Sequence, residues 1–164
     1  MKLDLYQIDA FTDKVFGGNP ACVVPLNKWL EDEKLLNIAQ ENAVSETAFF
    51  VQNDNFFHLR WFTPDIEMDL CGHATLAAAY VIKKHLKFPK DVISFNTLSG
   101  KLNVHVNHEN FTLDFPSRKP VISELPLIIK KSLSIQPKKI LKSRDYFLVY
   151  NNQKEIEEIQ IDLP

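Results

Sequence analysis

Glycine is scarce in this chain: four residues in 164, about 2% where roughly 7% is ordinary. Each one is therefore expected where the backbone needs it, and three of the four fall in two short motifs, Gly17-Gly18-Asn19-Pro20 and Leu70-Cys71-Gly72-His73. Cysteine is scarcer still. Cys22 and Cys71 permit one disulfide, but nothing else suggests secretion, and both read as thiols. No apolar run approaches the roughly 20 residues that span a bilayer. The start, Met1-Lys2-Leu3-Asp4, sets an acid inside what would be a signal's apolar region, so a cytoplasmic location is the expectation. An excess of one charge sign is missing too. A net charge of −2, with only short pairs such as Lys83-Lys84 and Lys138-Lys139, creates no field for nucleic acid or an anionic membrane, and neither is expected as a partner. There is no Gly-rich phosphate loop, no Cys-x-x-Cys and no Gly-x-Ser-x-Gly elbow, which leaves nucleotide, zinc and serine-hydrolase chemistry without support.

What is present is an ordinary globular composition, 45% hydrophobic and 24% charged, enough for one substantial core or two small ones. Leu3 to Phe11 alternates and reads as a strand, the Gly-Gly-Asn-Pro turn follows, and Ala21 to Val24 reads as a short buried strand. Glu31 to Asn42 repeats its apolar residues at helical spacing, with Glu31, Asp32 and Glu33 in the first turn, where the helix dipole favours acids. Thr47 to Val51, Phe56 to Phe62 and Ile66 to Leu70 are strand-like, with a hairpin turn at Gln52 to Asn55. His73 to His85 is a second helix, apolar nearly all round and so expected at the centre of its domain. Val92 to Phe95, Lys101 to Val106 and Phe111 to Phe115 are further strands, and Pro116 to Pro120 reads as a linker. Beyond it come a helix near Leu127 to Leu133, strands at Lys139 to Leu141 and Tyr146 to Tyr150, and an acidic segment Lys154 to Glu158. The expected division is a first lobe over 1–116 and a linker with the beginning of an incomplete second lobe over 117–164.

Several residues are of types that carry chemistry. Glu46 lies among Ala43, Val44, Ala48 and Phe49, where a carboxylate is poorly solvated and suited to taking and returning protons near neutral pH. The competing reading is a strand-edge Glu paired with a Lys or capping a backbone amide. His73 stands just where a helix would start, so that its ring and the free backbone amides there can bind a carboxylate or polarise a carbonyl; a merely packed or capping histidine is the alternative. Cys71 beside it is either an acid/base thiol with its pKa lowered by the helix terminus or a small buried apolar group. Asn19 reads first as a turn residue tolerant of unusual backbone angles, and otherwise as a substrate-facing amide. Asp65, Glu67 and Asp69 would share one strand face, usually the solvated one, and with no histidine at ligand spacing no metal centre is expected.

Taken together, Asp9-Ala10-Phe11, Phe16-Gly17-Gly18-Asn19-Pro20-Ala21, Ile38-Ala39-Gln40-Glu41-Asn42, Ser45-Glu46-Thr47-Ala48-Phe49, Arg60-Trp61-Phe62-Thr63-Pro64 and Leu70-Cys71-Gly72-His73-Ala74-Thr75 resemble the PhzF-like phenazine biosynthesis family, six blocks in order and spacing. The resemblance implies an α+β fold similar to diaminopimelate epimerase: two pseudo-symmetric lobes, each a β-barrel-like mixed sheet wrapped around a central helix, with the active site between them. It implies a cofactor-independent isomerase or epimerase that moves a proton between carbons of a small cyclic or amino-acid-like carboxylate, without metal. Glu46 would be the acid/base and His73 the substrate-contacting residue, while Asn19, Ser45 and Gly72 belong to matching substrate-side motifs. Cys71 aligns with the catalytic cysteine of the related epimerases and is the candidate auxiliary acid/base.

The departure from the family pattern lies at the other end. Its second lobe supplies a Glu-Asp-Pro block and a Gly-Ser-Ala block, and nothing after Pro120 matches them. A cleft with one wall would let proton return compete with solvent. The alternative function is therefore a non-catalytic binding or self-associating remnant, for which a homodimer of half-chains is geometrically allowed.

Overall fold

Two opposite faces of one sheet are buried in this protein, and alternation along each strand decides which side chains go to which face. The computed structural model describes residues 1–14 and 16–162. The chain divides into two compact units, with Phe115 the last residue of the first and Pro116 the first of the second. Leu163 and Pro164, at the end of the expected second segment, lie outside the described residues.

The first unit runs β1 (Tyr6–Ala10), β2 (Asn19–Leu26), α1 (Asp32–Asn42), β3 (Glu46–Asn53), β4 (Phe56–Phe62), β5 (Glu67–Met68), α2 (Gly72–Tyr80), β6 (Val92–Thr97), β7 (Gly100–Asn107) and β8 (Asn110–Asp114). One mixed sheet orders them β1-β2-β3-β4-β6-β7-β8, with the short β5 also on β4. Two of the pairings are parallel, β2 with β3 and β4 with β6, and each needs a crossover. Helix α1 makes the first and α2 the second. The two helices cover opposite faces. Ala48 and Phe50 of β3 join the cluster around α2, whereas Phe49 joins Leu35 and Ala39 of α1. In β4, Phe57, Leu59 and Trp61 face α2 while Phe62 packs with the α1 cluster. Along β7, where no buried partner covers the outer face, Leu102, Val104 and Val106 are buried and Lys101 and His105 are exposed.

Helix α2 is the centre expected from its composition. Ala74, Ala77, Ala78 and Ala79 are each no more than 1% exposed and meet side chains from β2 through β7. Alanine is required by this arrangement, because a sheet curled round a single helix approaches it on several sides, and methyl groups permit the shortest separation. The helix continues to His85 as predicted, but Val81–His85 is wound as a π-turn, with Leu86 N–H donating to the Val81 carbonyl at 2.9 Å. Hydrophobic periodicity does not separate that winding from an α-turn.

The strand boundaries differ from expectation at several places: β2, expected over Ala21 to Val24, extends over Asn19–Leu26, whereas β1 and β5 are shortened. β1 is limited to Tyr6–Ala10 because its partner β2 supplies register mates only from Val23 back to Asn19, and Phe11 leaves with a left-handed φ of 65°. The strand expected over Ile66 to Leu70 shrinks to Glu67–Met68, and its acids do not simply face solvent. Glu67 accepts two hydrogen bonds from the Arg60 guanidinium, at 2.7 Å each, and Arg60 also reaches Asp32 at 2.9 Å. The Arg60 group lies over the rings of Phe62 and Trp29, which places a buried-edge cation where sequence alternation suggested a solvated strand face.

The second unit has β9 (Val121–Ile122), α3 (Leu127–Ser132), β10 (Lys139–Lys142), β11 (Tyr146–Val149) and α4 (Gln153–Glu158), with a three-stranded antiparallel sheet in the order β11-β10-β9. The acidic segment is helical because Asn152 caps it, accepting from Glu155 N–H at 3.0 Å, while Glu155 reaches back to the Asn151 N–H at 2.9 Å. Among the described residues of this unit only Ser132 and Leu133 are buried, and Val121, Ile122, Leu127, Ile128 and Phe147 are exposed. Among the described residues no helix is long and apolar enough to cross a membrane.

Replacing Ala78 by Leu is expected to cost about 1–3 kcal/mol by overpacking α2 against the sheet. The readout is the urea midpoint at unchanged slope. A neutral substitution would contradict the close approach of helix and sheet described above.

Candidate active site

Three chain segments reach the same end of the first unit, and parallel pairing is the reason. Because β2 and β3 run in the same direction, both begin at that end, with Ala21 opposite Glu46. Parity then aims Glu46 at the α2 side of the sheet, two residues before the buried Ala48, and Asn19 likewise precedes Ala21 by two. The chain arrives at β3 through Ala43, which ends α1 in the left-handed region at φ 52° while its N–H donates to the Ala39 carbonyl. That conformation is disfavoured for any residue with a Cβ, and here it turns Ser45 and Glu46 back toward the sheet. The third segment is the strand-to-helix corner, where Cys71 is extended and Gly72 and His73 open α2.

Glu46 and His73 form the centre of the site. Glu46 Oε2 lies 3.2 Å from His73 Nε2, with the His73 side chain 9% and the Glu46 side chain 16% exposed. The approach is short, yet it is not aligned as a hydrogen bond, and both atoms are buried without a hydrogen-bond partner. Buried polar atoms are rarely left this way, so the pair has capacity for a ligand. On the other edge of the ring, Cys71 Sγ is 3.5 Å from Nδ1. Burial pushes the Cys71 thiol up to about 12, with the Glu46 charge adding to it and the backbone N–H groups of Ala74 and His73 opposing it. This reverses the lowering expected from the helix terminus, because at 7% exposure desolvation outweighs the dipole. Cys71 is therefore an S–H group at neutral pH and not a thiolate base. When the thiol donates to Nδ1, the neutral imidazole carries its proton on Nε2, facing Glu46.

The other candidate residues are placed around this centre. Ser45 Oγ donates to Asn19 Oδ1 at 3.3 Å, tying the starts of β2 and β3 together beside Glu46. Asn42 Nδ2 donates to Thr47 Oγ1 at 3.1 Å and fixes the same turn from the helix side. A Cβ at Gly72 would meet the Phe115 ring at 3.1 Å, so a side chain there would crowd the corner. Gly18, with φ 73°, leaves no room for a Cβ beside the Ala10 carbonyl and allows the chain to enter β2 at Asn19. Glu46, Cys71 and His73 are brought together, their donor atoms all within 4.8 Å of one another. Asp65, Glu67 and Asp69 take no part in that group. Sequence reasoning about single residues missed Trp61. Its indole is fully buried opposite Ala48 on the face shared with Glu46, and its Nε1 also has no hydrogen-bond partner. The strict alternation of β4 was the available signal.

Known proteins resemble this chain in sequence and in fold. The profile of the phenazine biosynthesis-like protein family matches residues 8–152. An uncharacterized isomerase of Pseudomonas aeruginosa is 44% identical over 162 residues, which make up 99% of this chain and 62% of that protein. The crystal structure of a PhzF-family phenazine biosynthesis protein from Enterococcus faecalis superposes with a TM-score of 0.89 at 39% identity, over 99% of this chain and 62% of that one. A probable proline racemase from Agrobacterium radiobacter, solved with bound carbonate, shares the fold alone, with a TM-score of 0.53 and 10% identity over 85% of this chain and 48% of that one. The fold is thus the expected α+β architecture, a curled mixed sheet around a central helix. The chain spans less than two thirds of the length of the relatives it matches.

Nitrogen NMR tests the proton placement. Neutral His73 is expected as the Nε2–H tautomer in the native chain and in Cys71→Ser, and Cys71→Ala should lose the preference. A native ring protonated at Nδ1 would contradict the donor role of the thiol.

Proposed function

This chain belongs to the phenazine biosynthesis-like protein family, and we propose that it carries the base-bearing lobe of a cofactor-independent isomerase or epimerase. The substrate is a small cyclic or amino-acid-like carboxylate with an acidic C–H. The observation that carries the reading is the buried Glu46–His73 pair, whose facing oxygen and nitrogen approach to 3.2 Å without a hydrogen-bond partner for either.

In the proposed reaction the Glu46 carboxylate takes a proton from a substrate carbon, and the electron pair of that C–H bond delocalises into the adjacent unsaturated or carboxyl group. The Glu46 carboxylic acid then returns the proton to a different carbon, or to the other face of the same one, and regains its charge. Nothing is oxidised or reduced. His73 Nε2–H and the first backbone amides of α2, at Gly72 and His73, hold the developing negative charge, where donors fixed before the reaction act most strongly. Asn19 and Ser45, already joined to each other, line the substrate side of Glu46. Gly72 keeps the approach to the helix terminus open. Low solvation at Glu46 retains the proton between its removal and its return.

Proton exchange tests the assignment. In deuterated water the protein is expected to incorporate deuterium into its substrate, and Glu46→Gln should reduce that incorporation by about 10²–10⁴-fold, the usual contribution of a positioned acid/base, with the fold intact by circular dichroism. Undiminished incorporation in Glu46→Gln would remove Glu46 from the chemistry. His73→Gln is expected to act mainly through KM if the ring holds the substrate and does not itself carry the proton.

A further inference from the structure

We propose that Glu46, Cys71 and His73 together form a binding site for a thiophilic divalent cation of the Zn²⁺ class. The three offer one carboxylate oxygen, one sulfur and one ring nitrogen, all within 4.8 Å of one another. That donor set suits Zn²⁺ and Cd²⁺ and disfavours Mg²⁺ and Ca²⁺, which take oxygen alone. The distances require little rearrangement. Tetrahedral Zn²⁺ with bonds of about 2.0–2.3 Å holds its ligand atoms roughly 3.3–3.7 Å apart. The Glu46–His73 pair is already at 3.2 Å, and with the three donor atoms within 4.8 Å of one another the sulfur has only the remaining gap to close.

A second observation points the same way. Glu46 Oε2 and His73 Nε2 are buried and unpartnered, so they face each other with their dehydration already complete and no hydrogen bond to break on binding. The ligands are also rigidly mounted. Cys71 and His73 flank Gly72 at the first turn of α2, and Glu46 is held by the register of β3 against β2. On binding, the S–H proton leaves to solvent and an S–metal bond takes its place, while the ring proton moves from Nε2 to Nδ1 so that the Nε2 lone pair can bind the ion. A divalent ion facing one thiolate and one carboxylate leaves a neutral buried cluster, which is the condition for charges to persist out of water. Three protein ligands leave a fourth position open. If Glu46 is the acid/base proposed above, the bound ion takes that base out of use and acts as an inhibitor; this consequence alone rests on the isomerase reading.

The test uses the chain as it stands, titrated with Cd²⁺. One equivalent is expected to produce the ultraviolet sulfur-to-cadmium charge-transfer band, and ¹¹³Cd NMR should report a single sulfur ligand. Cys22→Ala should keep the band, Cys71→Ser should abolish it, and Glu46→Gln and His73→Gln should each weaken binding at least about tenfold, as loss of a direct ligand does. Zn²⁺ should displace Cd²⁺, and Mg²⁺ should not. Absence of the band in the native chain, its persistence in Cys71→Ser, or a ¹¹³Cd shift without sulfur would overturn the site. The outcomes separate the two proposals. Cd²⁺ binding with undiminished deuterium exchange in Glu46→Gln rejects the isomerase and keeps the metal site; collapsed exchange without Cd²⁺ binding rejects the metal site alone.

Discussion

Enclosure of α2 by the curled sheet is the constraint on which the first unit depends. The core is assembled from small residues on the helix and large ones on the strands: Ala74, Ala77, Ala78 and Ala79 against Phe50, Phe57, Trp61 and Phe95. A helix of larger residues would hold the sheet away and flatten it, and a sheet of smaller ones would leave cavities. The alternation of the strands follows from this. One face serves α2 throughout, and the other is apolar only where α1 covers it, at Val24, Leu26, Phe49 and Phe62.

The candidate site exists because that apolar arrangement ends. At the rim of the sheet the next inward position of β3 is Glu46 and not another alanine, and the first turn of α2 offers His73 beside it. A carboxylate and an imidazole in such a place are costly unless something uses them. The neighbouring hydrogen bonds, Ser45 to Asn19 and Asn42 to Thr47, hold the strand starts and leave Oε2 and Nε2 unsatisfied. Arg60 secures the approach from the opposite face. Its bonds to Glu67 and Asp32 tie β5, which leads to Cys71, and the first turn of α1, the helix that leads to Glu46, to one strand. These carboxylates, Glu67 above all, hold the guanidinium firmly charged.

Much of this was legible in order along the chain. The amphipathic α1, the apolar α2 and the alternating β4 and β7 declare themselves by period, and β4 was read with its observed ends. What misled was local pattern without a partner. Leu3 and Leu5 continue the alternation of β1, but the pairing with β2 ends at Tyr6 and Val23, so the strand begins at Tyr6. Glu67 looked solvated because alternation identifies a face and does not show that Arg60 waits on it. For Cys71 a thiol lowered by the helix terminus and a small buried group both stayed open, since a helix terminus is visible in sequence and the depth of burial is not.

The sequence by itself determined which residues are apolar, at what period, and where glycine and charge interrupt the pattern. It therefore determined the elements, the inward parity of Glu46 and the strand-to-helix corner at Cys71, Gly72 and His73. Tertiary structure decided the meeting of that corner with Glu46 across 24 intervening residues. It also decided that the thiol stays protonated and that three donor atoms converge within 4.8 Å. The physical reason is that distance along the chain carries no information about a parallel pairing, whose register is chosen by the packing of both sheet faces at once.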